Sequence, residues 1–335
     1  MAYDVLEWAD LPFPRSLPEF QRLFPDDAAC ARYLEQARWR DGFNCPRCGV
    51  ADEPRYVSTR PGVLRCRHCR QDISLTAGTV MERTHTPLSV WFWAAYLVAS
   101  HTNGLSAVQF QRQLGLTRYE TAFQILHKLR AGMVRPDQDR IGGTGILVEA
   151  DETYVGGRTR GEGKGVHHMA LVAGAVEVKP SETKDKRKKS RVAGRLRLMH
   201  IGNRKGETLG GFIAANVALG SSIVTDDWGG YAGLSKSYDH TAVPERGDPD
   251  VAETYLPFIH LVFSNLKTWL RGTHHGVSSQ HLQAYLNEFV FRFNRRFYPF
   301  NAFPSLLGIA GDVCAPTYDQ FYHPISSDTT SSGRV

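Results

Sequence analysis

ILVEADETYVGG, residues 146–157, begins as an apolar β-run, turns acidic at Glu149, Asp151 and Glu152, and stops at a glycine pair. A strand turns its side chains to alternate faces. Glu149 and Asp151 therefore share one face, and Val148 and Ala150 take the other. An acid on the inner part of a strand is costly unless something positive meets it. A divalent metal is the natural candidate, and Asp151 reads as the first acid of a metal-dependent phosphoryl-transfer site.

Downstream, VHHMALVAGAVEV (166–178) and LRLMHI (196–201) read as further strands. GETLGGFIAANVAL (206–219) reads as a helix, and SSIVTDDWGGY (221–231) as a fourth strand ending in acids. Three strands, a helix and an acid-ended strand give the order of a ribonuclease-H-like core. The expected fold class is α/β, a mixed sheet flanked by helices. In that fold the first and fourth strands are neighbours, so Asp151 and Asp226 should meet. A later helix, within IHLVFSNLKTWLRGTHHGVS (259–278), should supply the third ligand. Lys267 follows His260 by seven positions and shares its face, which Arg271 continues. SSQHLQAYLNEFVFRFNRR (278–296) reads as the closing helix, with Leu282, Tyr285, Leu286, Phe289 and Phe293 as its buried stripe.

Upstream, GFNCPRCG and LRCRHCR place Cys45, Cys48, Cys66 and Cys69 in two CxxC knuckles. Their sulfurs can converge on one tetrahedral centre, which predicts a structural Zn2+ ribbon. The helical region that follows holds SVWFWAAYLVAS (89–100), a second helix ending near Leu114, and RYETAFQILHKLRAGM (118–133). Thr117 with Glu120 reads as a capping box for the last of these. Two short helices joined by LGLT suggest a helix-turn-helix, with Arg118 and Lys128 as DNA contacts. A basic insertion at 179–195 carries Lys186, Arg187, Lys188 and Lys189, which can grip phosphates.

The expected domains are a helical region at 1–40, the zinc ribbon at 41–80 and the helical DNA-binding region at 81–140. The catalytic domain then occupies 141–305 and a tail 306–335. The net charge of +6 suits polyanions. The longest apolar run, Leu88–Ala99, is too short for a bilayer, and the N-terminus lacks a signal-peptide pattern. The expectation is no membrane partner and a cytoplasmic location, nucleoid-associated when bound to DNA.

At EADETYVGG, TDDWGGY and GTHHGVSSQHLQAYLNEFVFRFNRR, together with the ribbon, the chain resembles insertion-sequence transposases of the IS fifteen-ninety-five family, the ISXO-two-like group. The resemblance implies a DDE-type transposase that binds terminal inverted repeats and cuts and joins DNA with catalytic Mg2+ or Mn2+. It implies Asp151, Asp226 and His260 as metal ligands and Lys267 as the accompanying lysine. The family pattern of acid, variable residue, Trp favours Asp226 over Asp227. Many relatives have Glu where His260 stands, and Asn265 is the second choice for that ligand. Imidazole suits Mn2+ better than Mg2+. Glu149 reads as an auxiliary carboxylate or, more simply, as a salt-bridge partner. Pairing two transposon ends implies a homodimer or larger assembly. Two readings compete: a decayed DNA-binding protein and a nuclease of the same fold.

Overall fold

The computed structural model describes residues 11–135, 137–156, 169–181, 190–244, 254–314 and 316. The chain divides into two units. One comprises Tyr3–His101, Ala107–Arg135 and Phe300–Val335; the other comprises Met1–Ala2, Thr102–Ser106 and Pro136–Pro299.

In the first unit, α1 (Leu17–Leu23) starts at Ser16, whose hydroxyl accepts the Glu19 N–H. Asp26 caps α2 (Asp27–Arg38) by accepting the Ala29 N–H at 2.8 Å. Strands β1 (Arg55–Tyr56), β2 (Val63–Arg65) and β3 (Asp72–Ser74) form a small antiparallel sheet. Helix α3 (Leu88–Ser100) begins after Pro87, which has no side-chain acceptor. Asp27 supplies one, taking the Leu88 and Ser89 N–H groups at 3.2 and 2.9 Å. Two successive acids thus serve the starts of two different helices, filling vacancies that every helix N-terminus has.

Helices α4 (Ala107–Gln113) and α5 (Tyr119–Ala131) flank a turn at Gly115, whose φ of +60° suits glycine. Ala122, Ile125, Leu126 and Leu129 form the expected buried stripe. The predicted Thr117 cap is absent: Arg118 occupies the N-cap position without a side-chain bond, and α5 starts one residue later than that cap requires.

In the second unit, β4 (Ile141–Gly142) precedes the opening strand, β5 (Leu147–Val155). The chain continues through β6 (Ala170–Pro180), β7 (Arg191–Ile201), α6 (Gly206–Asn216), β8 (Val217–Ala218) and β9 (Ser222–Asp226). A 3-10 turn (Gly229–Lys236) leads to β10 (Asp239–Val243), and α7 (Pro257–His274) and α8 (Ser279–Arg295) close the unit. The main sheet runs β10-β9-β5-β6-β7. β5, β6 and β7 form an antiparallel meander, while β9 lies parallel to β5 and to β10. This is the ribonuclease-H-like order expected from the sequence. β4 and β8 form a separate two-stranded pair.

The two sheet faces follow from strand alternation. Val148, Ala150, Ala173 and Ala175 pack with Leu209, Phe212 and Ile213 of α6. Val172, Val176, Leu196 and Leu198 pack with Ile259, Phe263 and Leu266 of α7 and with Leu282 and Leu286 of α8.

α8 is not the last helix. α9 (Ala302–Asp312) crosses the expected start of the tail and buries Ala302 through Ala310. Its Phe303 ring lies 5.5 Å from Phe24, in the aromatic core of the first unit. The apolar content of AFPSLLGIAG explains its burial; the Pro304 that argues against a helix sits in its first turn, where proline is tolerated. No helix among the described residues is long and apolar enough to cross a membrane.

Candidate metal centre

Parallel pairing of β5 with β9 sets Glu149 against Val224. Beyond the end of that pairing, Asp151 and Asp226 each lie two residues further along their strands. Carboxylate oxygens of Asp151, Glu152 and Asp226 all lie within 4.8 Å of one another. Such crowding is expensive without a cation. Burial, and then the charges of Asp151 and Glu152, push the Asp226 carboxyl up to about 6, against the opposing pull of the Trp228 N–H and Arg204.

Glu152 belongs to the other face of the strand, and both of its oxygens are engaged. The Tyr231 hydroxyl donates to Oε2 at 2.5 Å, and the Arg204 guanidinium holds Oε1. Arg204 also sits 4.3 Å over the Trp228 ring, and its carbonyl accepts the Trp228 indole N–H at 3.1 Å. The Trp228 backbone N–H donates to Asp226 Oδ1 at 3.3 Å. Glu152, Arg204, Trp228 and Asp226 therefore form a closed chain of contacts. Glu152 anchors this chain with both of its carboxylate oxygens engaged.

The third predicted ligand arrives on α7. His260 Nε2 lies 3.2 Å from Asp151 Oδ2. Two features place it there. The buried Glu149 carboxylate accepts the N–H groups of Phe258 and Ile259 at 2.8 and 2.9 Å, capping α7 from the neighbouring strand. Pro257 occupies the first helical position, where its missing N–H costs nothing. Gly174, paired opposite Asp151, supplies the second feature. A Cβ there would meet the Phe263 ring at 2.8 Å and Ile259 at 2.9 Å. The bare glycine lets α7 settle close to the sheet.

Lys267 and Arg271, further along α7, are exposed and line a cavity with Tyr154 of β5. Asn265 and Asp227 are exposed, and neither contacts the acid cluster among the described residues. Arg118 is exposed; Lys128 is half-buried, and burial lowers its ammonium pKa despite nearby Glu82. Lys186, Arg187, Lys188 and Lys189 lie outside the described residues.

The second centre is in the ribbon. Cys45 Sγ lies 3.7 Å from Cys69 Sγ, and Cys48 Sγ lies 3.7 Å from Cys66 Sγ. Thiolates about 2.3 Å from a zinc ion form a tetrahedron with edges of roughly 3.8 Å. The four sulfurs are thus spaced to hold zinc. Each knuckle closes with a backbone bond, Gly49 N–H to Cys45 and Arg70 N–H to Cys66, and Gly49 and Arg70 adopt positive φ to make it.

Sequence reasoning missed Arg204, Tyr231 and Gly174 and left the role of Glu149 open. Tyr231 stands five residues after Asp226 in a GGY turn, a weak signal; Arg204 lies in an unremarkable polar loop.

The fold and site define a ribonuclease-H-like domain with a cluster of three carboxylates spaced so that it could hold a metal ion, carried with a four-cysteine ribbon. Residues 142–294 match the ISXO2-like transposase domain, and residues 25–72 match the transposase zinc-ribbon domain. The chain thus carries an ISXO2-like transposase domain behind a transposase zinc-ribbon domain. It is also similar to an uncharacterized protein in transposable element ISH50 of Halobacterium salinarum, 28% identical over 137 residues. That match covers 40% of this chain and 44% of the relative, so the chain spans less than half of that protein's length. No solved structure matches the chain.

Proposed function

We propose that the protein is a DNA transposase that binds the terminal inverted repeats of an insertion sequence and catalyses metal-dependent strand cleavage and strand transfer. The observation that carries this reading is the convergence of the Asp151 and Asp226 carboxylates at the end of adjacent parallel strands, with His260 against Asp151. Asp151, Asp226 and His260 would hold divalent ions, Mg2+ or Mn2+. Bound there, such ions supply charge stabilisation and a nucleophile at neutral pH. The imidazole favours Mn2+ over Mg2+.

The surrounding side chains fit that role. Asp151 lies between Asp226 and His260 and is placed to serve both. Lys267 and Arg271 extend the site along α7 with positive charge suited to the phosphates of the bound strand. Arg118, Lys128 and the basic run Lys186–Lys189 would add DNA contacts, and the zinc ribbon would present its arginine-rich knuckles to the duplex. Because two element ends must be joined, the active assembly is a homodimer or larger.

The test is mobility of a selectable marker flanked by candidate repeats, compared between the wild type and the Asp226→Ala, His260→Ala and Asn265→Ala variants. The reading expects Asp226→Ala and His260→Ala to lose mobility and Asn265→Ala to keep it. Full mobility of Asp226→Ala would overturn it.

A further inference from the structure

Trp228 stands two residues past Asp226 and is 45% exposed. A single exposed aromatic residue is ordinary on a protein surface, but this one is held on several sides. Its backbone N–H donates to Asp226 Oδ1 at 3.3 Å, and its indole N–H donates to the Arg204 carbonyl at 3.1 Å. The Arg204 guanidinium lies over the ring, 4.3 Å from its centroid. A Cβ at Gly230 would meet Trp228 Cδ1 at 2.9 Å, so the turn backbone closes against that edge. Among the described residues, Arg204 is the only group that lies over the ring. We propose that Trp228 is the platform on which an unpaired nucleobase next to the scissile phosphate stacks, which makes it a positioning residue for the cut strand. The proposal rests on the DNA-processing function proposed above.

The mounting suits a platform. Arg204 is itself fixed, because its guanidinium holds Glu152 Oε1 while the Tyr231 hydroxyl holds Oε2. The anchored indole N–H keeps the ring from turning over. An aromatic group set in place beforehand gives up little conformational freedom when a partner lands on it. The cation covers one face and is attracted to the π-system from that side. The other face is the one that a base can meet. Arg204 also places a positive charge beside the acids, where the phosphate of the same nucleotide would pass.

The position relates the ring to the cut. Two chain steps of 3.8 Å keep the Trp228 Cα within about 7.6 Å of the Asp226 Cα. That is about two base steps, taking 3.4 Å per step. His260 reaches Asp151 from α7, whereas Arg204 reaches Glu152, which belongs to the opposite face of β5. Trp228 and His260 therefore flank the acids from opposite sides. A strand whose scissile phosphate sits at the acids passes from one flank to the other, and a base on the Trp228 side meets the indole. Every base has a π-face, so this contact sets register without reading sequence. The base must first leave its pair, which costs least where the duplex is mismatched or open.

The experiment uses full-length, zinc-loaded protein without added Mn2+, and duplexes bearing a candidate element end with 2-aminopurine at successive unpaired positions. Binding is read by anisotropy of a distant dye, and stacking by the fall in 2-aminopurine fluorescence. The expected result is quenching confined to one or two positions near the element end, lost in Trp228→Ala and Trp228→Leu and kept in Trp228→Phe. An abasic nucleotide at the quenched position should weaken wild-type binding at least about fivefold, and binding by Trp228→Leu less than about twofold. A residue that merely supported Arg204 would not make the two losses overlap. Retained binding without localised quenching, quenching unchanged in Trp228→Leu, or an equal abasic loss in both proteins would overturn the platform and leave the DNA reading standing. Failure of the wild-type protein to bind any of the duplexes would overturn both.

Discussion

The Glu149 carboxylate accepts the Ile259 N–H at 2.9 Å, joining the opening strand to the first turn of the helix that carries His260. The same oxygen takes the Phe258 N–H at 2.8 Å. One acid on β5 thus caps α7, and its neighbour two residues on meets the histidine of that helix. Glu149 is a positioning residue in this arrangement.

Replacing Glu149 by alanine leaves two buried N–H donors without this acceptor, at about 1–3 kcal/mol for each. Glu149→Gln keeps an acceptor oxygen and should retain most of the stability. Supporting residues around metal ligands typically alter affinity 10–100-fold. Manganese titration followed by electron paramagnetic resonance should therefore show at least about tenfold weaker binding for Glu149→Ala, largely restored in Glu149→Gln. Equal affinity in all three proteins would rule out the positioning role.

Gly174 makes a sharper steric prediction. A methyl group at this position meets the ends of the Phe263 and Ile259 side chains below 3 Å, so those side chains, or the helix that carries them, must shift. Gly174→Ala should cost about 1–3 kcal/mol through overpacking. The same shift should separate His260 from Asp151 and weaken manganese binding. Denaturant unfolding and the same resonance titration read the two effects separately; a variant unchanged in both would show that the close approach is not needed.

The strands were legible because their alternation and glycine-bounded runs are local signals, and the order of elements then set Asp151 beside Asp226. The cysteine knuckles were legible for the same reason. Glu149 was not: the N–H donors it accepts from lie more than a hundred residues away, and nothing near Glu149 in sequence announces a helix N-terminus on the next layer. Asp27 taught the same lesson, capping α3 rather than its own helix. Arg204 reads as an ordinary loop arginine until the fold brings Glu152 and Trp228 to it. Helix α9 crosses the expected domain boundary at 305/306, and its burial is dictated by its apolar content.

The ribbon carries its own test. Native mass spectrometry should find one zinc ion per chain in the wild type and none in Cys48→Ser, with the segment from Phe43 to Ser74 becoming sensitive to protease. Binding free energies of structural zinc are large enough that ribbon order should depend on the ion. A protease-resistant ribbon after complete zinc removal would contradict this.

Glu177 predicts an acid limb of stability. Burial alone would raise its carboxyl, but the Arg195 side chain and the N–H groups of Arg195 and Gly142 bring it down to about 2. A carboxyl depressed in the folded state stabilises the fold above its unfolded value of about 4.5 and loses that contribution as pH falls towards 2. Glu177→Gln should therefore cost roughly 1–2 kcal/mol at pH 7, allowing for solvent screening of the partly exposed arginine. The gap between wild type and variant should close between about pH 4.5 and pH 2. Urea titrations of both proteins across that range measure it; a gap independent of pH would refute the assignment.

The central claim is that Asp151 is a metal ligand of a DNA-cutting site. The most direct test is cleavage of a duplex bearing a transposon end, followed in Mn2+ with the wild type and Asp151→Ala at matched DNA occupancy. The account predicts that Asp151→Ala binds the end as the wild type does and releases no 3′-hydroxyl product. Cleavage by Asp151→Ala at the wild-type rate would contradict it.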